Sequence, residues 1–551
     1  MKSGKVLFLV LLTMVSLCVV NTYPVRSQEI GIIYIQSDGS VVTSTGTEVP
    51  IEKDGNIYTF TDNIESYYIV IQRDNIIVDG AGYNLSGEGE VGIDLESRSN
   101  VTIKDMQIAG FFYSIYVWDS SYNTITGNTI VYNGYGVYLI GSSQNIITGN
   151  TLTNNQFGIA FDLSSNNVLR NNIMYNTYNL AVYGTEPSHY DNDIDTSNIV
   201  NGKKVYYLIS ERDLVIDPST FQDLGYLALI NCENITVHDM ELTKNGQGIL
   251  LAYTTGSTIT QNQLKDNYNG LGLLASSSNF IYGNNVIDNY RGIQLSNASN
   301  TNSISANNVS DNKEGIFLFN SFQNSIAGNN ITNNDIGIGF KEASSNVIRS
   351  NYFVNNAKQA YDTYMSDSNI TASMNFWDFS YPSGGNYWSD YTGVDVKSGI
   401  GQNQTGSDGL GDTPYIIYGN NKDGYPLMPY GSHPAVSIAS PQNKTYTVNS
   451  VPLTFTVNEI TTWTGYSLDG QENVTITDSI TLSNLAEGVH NVTVYTQDID
   501  GQTGTSGTIY FTISQGAEPV QSEAFPTEIV IIVAVVAAVV VALIYFLTRK
   551  K

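Results

Sequence analysis

Apolar and polar residues alternate in short runs along most of this chain, and the runs return at a fixed step. Asn123-Thr124-Ile125-Thr126-Gly127-Asn128 is followed by Asn145-Ile146-Ile147-Thr148-Gly149-Asn150 and then by Asn167-Val168-Leu169-Arg170-Asn171-Asn172, so Asn128, Asn150 and Asn172 stand 22 residues apart. Alternation is the strand period, not the helical one. A repeat of this length is too short for helical hairpins or propeller blades. One repeat is therefore one turn of a parallel β-solenoid.

The columns of that solenoid can be read directly. Gly92, Ser114, Gly136, Gly158 and Leu180 keep the step, and Gly248, Gly270, Gly292, Gly315 and Gly337 resume it with one unit of 23. Apolar side chains recur two positions after each turn residue: Ile108, Ile130, Leu152 and Met174, then Leu242, Leu264, Val286, Val309, Ile331 and Phe353. Residues one and three past the glycine are also apolar, as in Val137/Leu139 and Ile293/Leu295, which turns the residue between them outward. The asparagine column is expected to occupy left-handed corners, which Asn tolerates, and to bond amide to amide along the axis.

The pattern divides the chain. Lys2 and Lys5 before an apolar run from Val6 to Val20 read as a secretory signal peptide over 1–27. Residues 28–64 are expected to cap the first edge of the solenoid, since an uncovered edge invites association. Parallel β-helix repeats follow over 65–375, with an insertion at about 185–224, and a Gly/Tyr/Trp/Asp-rich C-terminal cap over 376–433. Alternating strands separated by short turns over 434–514 fit a small immunoglobulin-like β-sandwich. A linker (515–528) leads to the apolar run Ile529 to Leu547, long enough to span a bilayer. The basic tail 548–551 then places the C-terminus in the cytoplasm. The fold class is all-β: a right-handed parallel β-helix, a sandwich and a C-terminal transmembrane helix. The location is the cell membrane, single-pass, with the N-terminal ectodomain outside.

Charge narrows the partners. The net charge is -27, which disfavours nucleic acid and anionic surfaces. Two cysteines are present, one of them in the leader, leaving Cys232 without an intramolecular partner. Of the Asn-x-Ser/Thr sites, those expected on outer positions are glycosylation candidates: Asn84, Asn100, Asn234, Asn330, Asn369, Asn443, Asn473 and Asn491.

Candidate chemistry is sparse. Solenoid enzymes acting on polysaccharides carry paired carboxylates on an outer face. The outward column Asp94, Tyr116, Tyr138, Ala160 holds one acid, with no second at neighbouring rungs. It holds aromatics instead: Tyr116 and Tyr138 one rung apart, with Trp118 and Tyr135 beside them. Such rings suit sugar stacking, and packing on a pleated surface would also select them. Asp94, Tyr116, Trp118 and Tyr138 are the candidate ligand-binding residues. Asp395, Asp408 and Asp412 are candidate calcium ligands through hard oxygen donors, or formers of turns. No catalytic residue stands out.

Asn75-Ile76-Ile77-Val78-Asp79-Gly80-Ala81-Gly82, the Gly/Asn repeats, Gly385-Asn386-Tyr387-Trp388-Ser389-Asp390-Tyr391 and Ser407-Asp408-Gly409-Leu410-Gly411-Asp412-Thr413-Pro414-Tyr415 together resemble NosD-type right-handed parallel β-helix proteins. The resemblance covers roughly residues 30–430. It implies the fold and a superfamily of carbohydrate-binding proteins and sugar hydrolases beside copper-associated members. The sandwich and anchor resemble archaeal cell-surface proteins. Copper handling would call for clustered Met, His or Cys, whereas His189, His238, His433 and His490 are scattered. The expected function is surface binding or adhesion with a glycan or surface polymer as ligand. The rivals are a polysaccharide lyase or glycoside hydrolase on the same rod, and a copper-associated accessory protein.

Overall fold

The computed structural model describes residues 30–367, 369–428, 434, 436–457, 461–497 and 501–514. The expected signal peptide, linker, membrane run and basic tail lie outside them, as does His433. The described residues form two compact units, divided at Met428/Pro429. Among them no helix is long and apolar enough to cross a membrane.

The first unit is an all-β parallel solenoid of about 14 turns with roughly 22 residues per turn. Each full turn contributes one long strand and two short ones, and every strand pairs in register with its equivalent one turn away. Thus Ile115, Tyr116 and Val117 pair with Val137, Tyr138 and Leu139. Alternation sends Ile115, Val117, Val137 and Leu139 into the core at 0% exposure.

Buried amide ladders hold the corners. Asn150 Oδ1 accepts from the N–H and the Nδ2 of Asn128, both at 3.0 Å, while Asn150 Nδ2 donates to Ile125 O at 2.9 Å and to Asn172 Oδ1 at 3.0 Å. A second ladder runs Asn123–Asn145–Asn167 and a third runs Asn133–Asn155–Asn176. The expected backbone assignment is corrected by one position: the left-handed residue is the one before the ladder Asn, namely Gly127 (φ +68°), Gly149 (φ +65°) and Asn171 (φ +55°). The corner residue with positive φ faces out, which leaves the next side chain to turn inward and meet the exposed carbonyls.

The segment 185–224 changes the sheet arrangement. Asp193–Ile194 and Ile199–Val200 still pair in parallel with the preceding turn. Lys203–Ile209 then runs antiparallel to Ile199–Val200 and parallel to Leu224–Ile230. A single 15-stranded sheet therefore continues through this point, from the short strands of the first stack into the long strands of the second. Its buried face reverses on the way. Val205 and Tyr207 pair with Tyr226 and Ala228, and all four belong to the first core. Leu227 and Leu229, on the other face of the same strand, belong to the second core. The two stacks lie on opposite sides of one shared sheet.

At its far end the second core is closed by indoles. Trp388 stacks on Phe353 at 4.5 Å and on Tyr415 at 4.3 Å, and its Nε1 donates to Asp423 at 2.9 Å. The second unit has a three-stranded sheet, Val436–Ser440, Val451–Val457 and Ile480–Leu482, and a larger one containing Trp463–Leu468, Gly488–Gln497 and Ile509–Ile513. Val451, Leu453, Leu482, Val492, Val494, Phe511 and Ile513 form its core.

Candidate functional site: an aromatic elbow between the stacks

Because the stacks share a sheet but not a core, the outer face of the first meets the outer face of the second at their junction. Seam bonds fix the meeting. Asn179 N–H donates to Lys244 O at 2.8 Å and Gly246 N–H to Leu180 O at 2.9 Å. Gln247 Oε1 accepts from Val182 N–H, and Gln247 Nε2 donates to Val182 O, both at 3.3 Å.

Rings fill the angle. Outward positions of the first stack supply Tyr113, Tyr116, Trp118, Tyr135, Tyr138, Phe157, Tyr178 and Tyr183, and the second stack adds Tyr268. Tyr113 stacks on Tyr138 at 5.3 Å and Tyr135 on Phe157 at 4.7 Å. Phe157 crosses to Tyr268 at 5.7 Å, which stacks on Tyr290 at 4.8 Å. Beyond it the Arg291 guanidinium lies 4.7 Å over the Phe317 ring and pairs with Glu314. Tyr135, Tyr138 and Phe157 form a buried floor. Tyr113, Tyr116, Trp118, Tyr178, Tyr183, Tyr268 and Tyr290 are half-buried around it. Burial pushes the Tyr113 phenol up to about 12, and burial with the nearby Tyr113 and Asp94 pushes Tyr116 higher still. These rings therefore present neutral hydroxyls at physiological pH.

The four sequence-derived candidates are brought together: Asp94 pairs in register with Tyr116, and Tyr116 with Tyr138. One expectation is corrected. Tyr138 leaves the outer face but is only 5% exposed, because Tyr113, Tyr116 and Tyr135 pack on its ring. Its hydroxyl donates to Asp162 Oδ2 at 3.2 Å. Removing that ring would open a cavity instead of trimming a surface.

Two acids escaped the sequence reading. Asp162 lies four residues past Gly158, in an outward column that also holds Glu96, Trp118 and Ile140. Burial raises its carboxyl to about 6 against the Tyr138 hydrogen bond, and Oδ1 has no hydrogen-bond partner. Glu96 sits two residues after Asp94 on the same strand face, beside Trp118. Asp94 is raised by burial, opposed by the hydrogen bond that its Oδ1 accepts from Glu96 N–H at 3.0 Å.

The calcium candidates lie elsewhere, in the cap. Asp395 accepts from Ser407 Oγ and from the N–H groups of Asp408 and Gly409; Asp408 accepts from Gly399 N–H and Gln402 Nε2; Asp412 accepts from Lys397 N–H. Their oxygens brace loops. Of the glycosylation candidates, Asn100, Asn234, Asn369, Asn443 and Asn473 are exposed, and Asn84, Asn330 and Asn491 are half-buried.

Comparison with known proteins gives a family match over residues 10–206 and 190–393, described as "Periplasmic copper-binding protein (NosD)". Halomucin of Haloquadratum walsbyi is 43% identical over 89 residues, a stretch that is 15% of this chain and 1% of Halomucin. Among solved structures, the A-module of an Azotobacter vinelandii mannuronan C-5 epimerase matches at 12% identity and TM-score 0.22, covering 57% of this chain and 89% of that one. The tailspike protein 2 enzymatically active domain of bacteriophage CBA120 matches at 13% identity and TM-score 0.21, covering 89% of this chain and 73% of that one.

Among the described residues, the donors do not fit the copper of the family's description. His189 Nδ1 accepts from the N–H groups of Thr185 and Glu186, His238 bonds Asp239, and His490 bonds Asp469 and Ala486 O. Cys232 is buried, with its Sγ against Leu208 O and Ile230 O. Among the described residues no three His, Cys, Asp or Glu side chains gather as a metal site. With a match spanning more than half its length and the stacked parallel coil that the match implies, the chain belongs to the NosD family.

Proposed function

We propose that this protein is a surface-displayed β-helix that binds a glycan chain across the aromatic elbow. The observation that carries the reading is the set of half-buried rings held over a packed aromatic floor. Rings fixed in this way offer apolar faces and neutral hydroxyl edges, with little side-chain entropy left to lose on binding. The surface-display part rests on the apolar runs Val6–Val20 and Ile529–Leu547, which fit export and membrane anchoring. The second unit is read as an immunoglobulin-like domain.

One observation favours cleavage as a second reading. Asp94 and Glu96 project from one strand face two residues apart, about 7 Å along the strand, beside Tyr116 and Trp118. That spacing leaves room for a water between an acid and a base.

A glycan array on the full chain in detergent, paired with a reducing-sugar release assay, tests both. Trp118→Ala is expected to weaken glycan binding at least about tenfold with little change in melting temperature. Undiminished binding would end the elbow reading. Sugar release that Asp94→Asn abolishes while binding persists would establish the second.

A further inference from the structure

One end of the elbow carries acids among its rings. The strand Val91–Glu96 turns Asp94 and Glu96 outward, and Asp94 pairs in register with Val70 on one side and Tyr116 on the other. Tyr68 leaves the same outer face two residues before Val70, so an acid rung lies between two tyrosine rungs, each about 4.8 Å away. Glu96 stands opposite Trp118, and the backbone carbonyl of Glu90 accepts from Tyr113 N–H at 2.7 Å. Asp94 is half-buried, while Glu90 and Glu96 are exposed. Among the described residues no ion pair involves any of the three, and no hydrogen bond reaches Asp94 Oδ2 or the carboxylates of Glu90 and Glu96.

Burial raises the phenols of Tyr68, Tyr113 and Tyr116, and the ionised side chains that add to the rise are all carboxylates: Glu90, Asp94, Glu96 and Asp162. Asp162 stands apart from the other three. It is 7% exposed, it accepts from the Tyr138 hydroxyl in the ring floor, and its Oδ1 has no hydrogen-bond partner. The cation that acts on Asp94 is Arg98, which is held by Asp74 at 3.4 Å and is the weakest influence on the Asp94 carboxyl. Arg98 and Asp74 are neutral as a pair, so Glu90, Asp94 and Glu96 remain unbalanced. We infer that this end of the elbow is a cation subsite, and that the glycan of the reading above, on which the inference rests, is a hexosamine polymer with free amino groups. An ammonium over the Tyr116 or Trp118 ring is attracted by the ring face. Asp94 Oδ2 and the Glu96 carboxylate accept charge-assisted hydrogen bonds from it. N-Acetylation removes that charge, and a chain of net charge -27 draws a polycation from a distance.

Asp94→Asn keeps the oxygen that accepts from Glu96 N–H, so D94N/E96Q removes charge and leaves the strand and the melting temperature unchanged. Isothermal titration of the full chain in detergent would use hexamers of glucosamine, of N-acetylglucosamine and of glucose, alike in linkage, with hexalysine as a control. At about pH 6.5, ordinary carboxylates are ionised and amines keep their proton. The glucosamine hexamer is expected to bind at least about tenfold more tightly than either of the other sugars, with an advantage that shrinks as salt is added. D94N/E96Q should narrow that ratio by weakening the glucosamine hexamer alone, and Trp118→Ala should weaken it as well. Equal or tighter binding of the acetylated or glucose hexamer would overturn the inference, and so would a ratio that D94N/E96Q leaves alone. Hexalysine binding as tightly as the glucosamine hexamer would overturn it too, since charge alone would then be read. If a neutral hexamer is bound in any of these cases and Trp118→Ala weakens it, the elbow reading stands and only its ligand class falls. Absence of binding by all three sugars would overturn the inference and leave the elbow reading to the glycan array.

Discussion

Asp162 shows how one residue's surroundings set its chemistry. Oδ2 accepts from the Tyr138 hydroxyl and Oδ1 has no hydrogen-bond partner, so burial dominates and the carboxyl rises from 3.8 to about 6. Between those values the folded chain holds a proton that the unfolded chain has released. Stability contributed at Asp162 is therefore full below the unfolded pKa and is lost as pH climbs toward 6. Asp162→Asn removes the ionisation and keeps an oxygen for Tyr138. Measured by urea unfolding, the variant should gain on the parent by about 2–3 kcal/mol between pH 4 and pH 7; a gain in the opposite direction would mean that the ionised form is the one the fold stabilises. The direction of Tyr138 was legible in the alternation of Val137 and Leu139. Its burial was not, because Tyr113 and Tyr116, which cover it together with Tyr135, come from the preceding turn, and the cluster they belong to is completed by Tyr268 of the second stack. Asp162 was hidden for a simpler reason: the column two past the glycine carries Ala160 at that turn, and the acid lies two residues further on.

At the scale of the strand, glycines of two kinds recur with the same period. Gly158 begins the inward part of its strand, and a Cβ there would stand 2.5 Å from Asn179 O and 2.6 Å from Asn176 Nδ2. Neither can retreat: the carbonyl is backbone and the amide closes a ladder. Gly328 instead sits at an open corner with φ +69° and nothing near its Cβ position. Its column already accommodates Ala306 at φ +53° and Ser350 at φ +53°. Gly158→Ala should therefore cost about 2–3 kcal/mol by overpacking, and Gly328→Ala about 1 kcal/mol through the left-handed backbone. Comparable denaturation midpoints for the two variants would show that the long-strand glycines are not packing-limited. Periodicity made both columns legible, but it could not tell them apart; only the distance to the next turn's backbone does.

On the scale of the whole first unit, two cores and one continuous sheet pose a question of coupling. The sequence showed a step that stopped near residue 184 and resumed near 248, which is compatible with a straight rod. The reversal of the shared sheet leaves its mark in residues that look ordinary one by one: Tyr226, Ala228 and Ile230 face one core while Leu227 and Leu229 face the other. A strand buried on both faces reads as a continuous apolar run, and Leu224–Ile230 is one. Elsewhere each turn touches only its neighbours, so stability should spread along the coil as a sum of local and nearest-neighbour terms. Between the stacks the path narrows to the six-residue register of Lys203–Ile209 with Leu224–Ile230 and the seam bonds around Asn179 and Gln247. Ile125→Ala, which opens a cavity at a fully buried site of the first core, should cost about 2–5 kcal/mol locally. Hydrogen exchange on the full chain is expected to show lost protection in strands between residues 101 and 183, and near-parental protection between 281 and 354. Equal loss in both spans would mean that the shared sheet fuses the two stacks into one cooperative block, and that the elbow, with its rings drawn from both, is as rigid as either core.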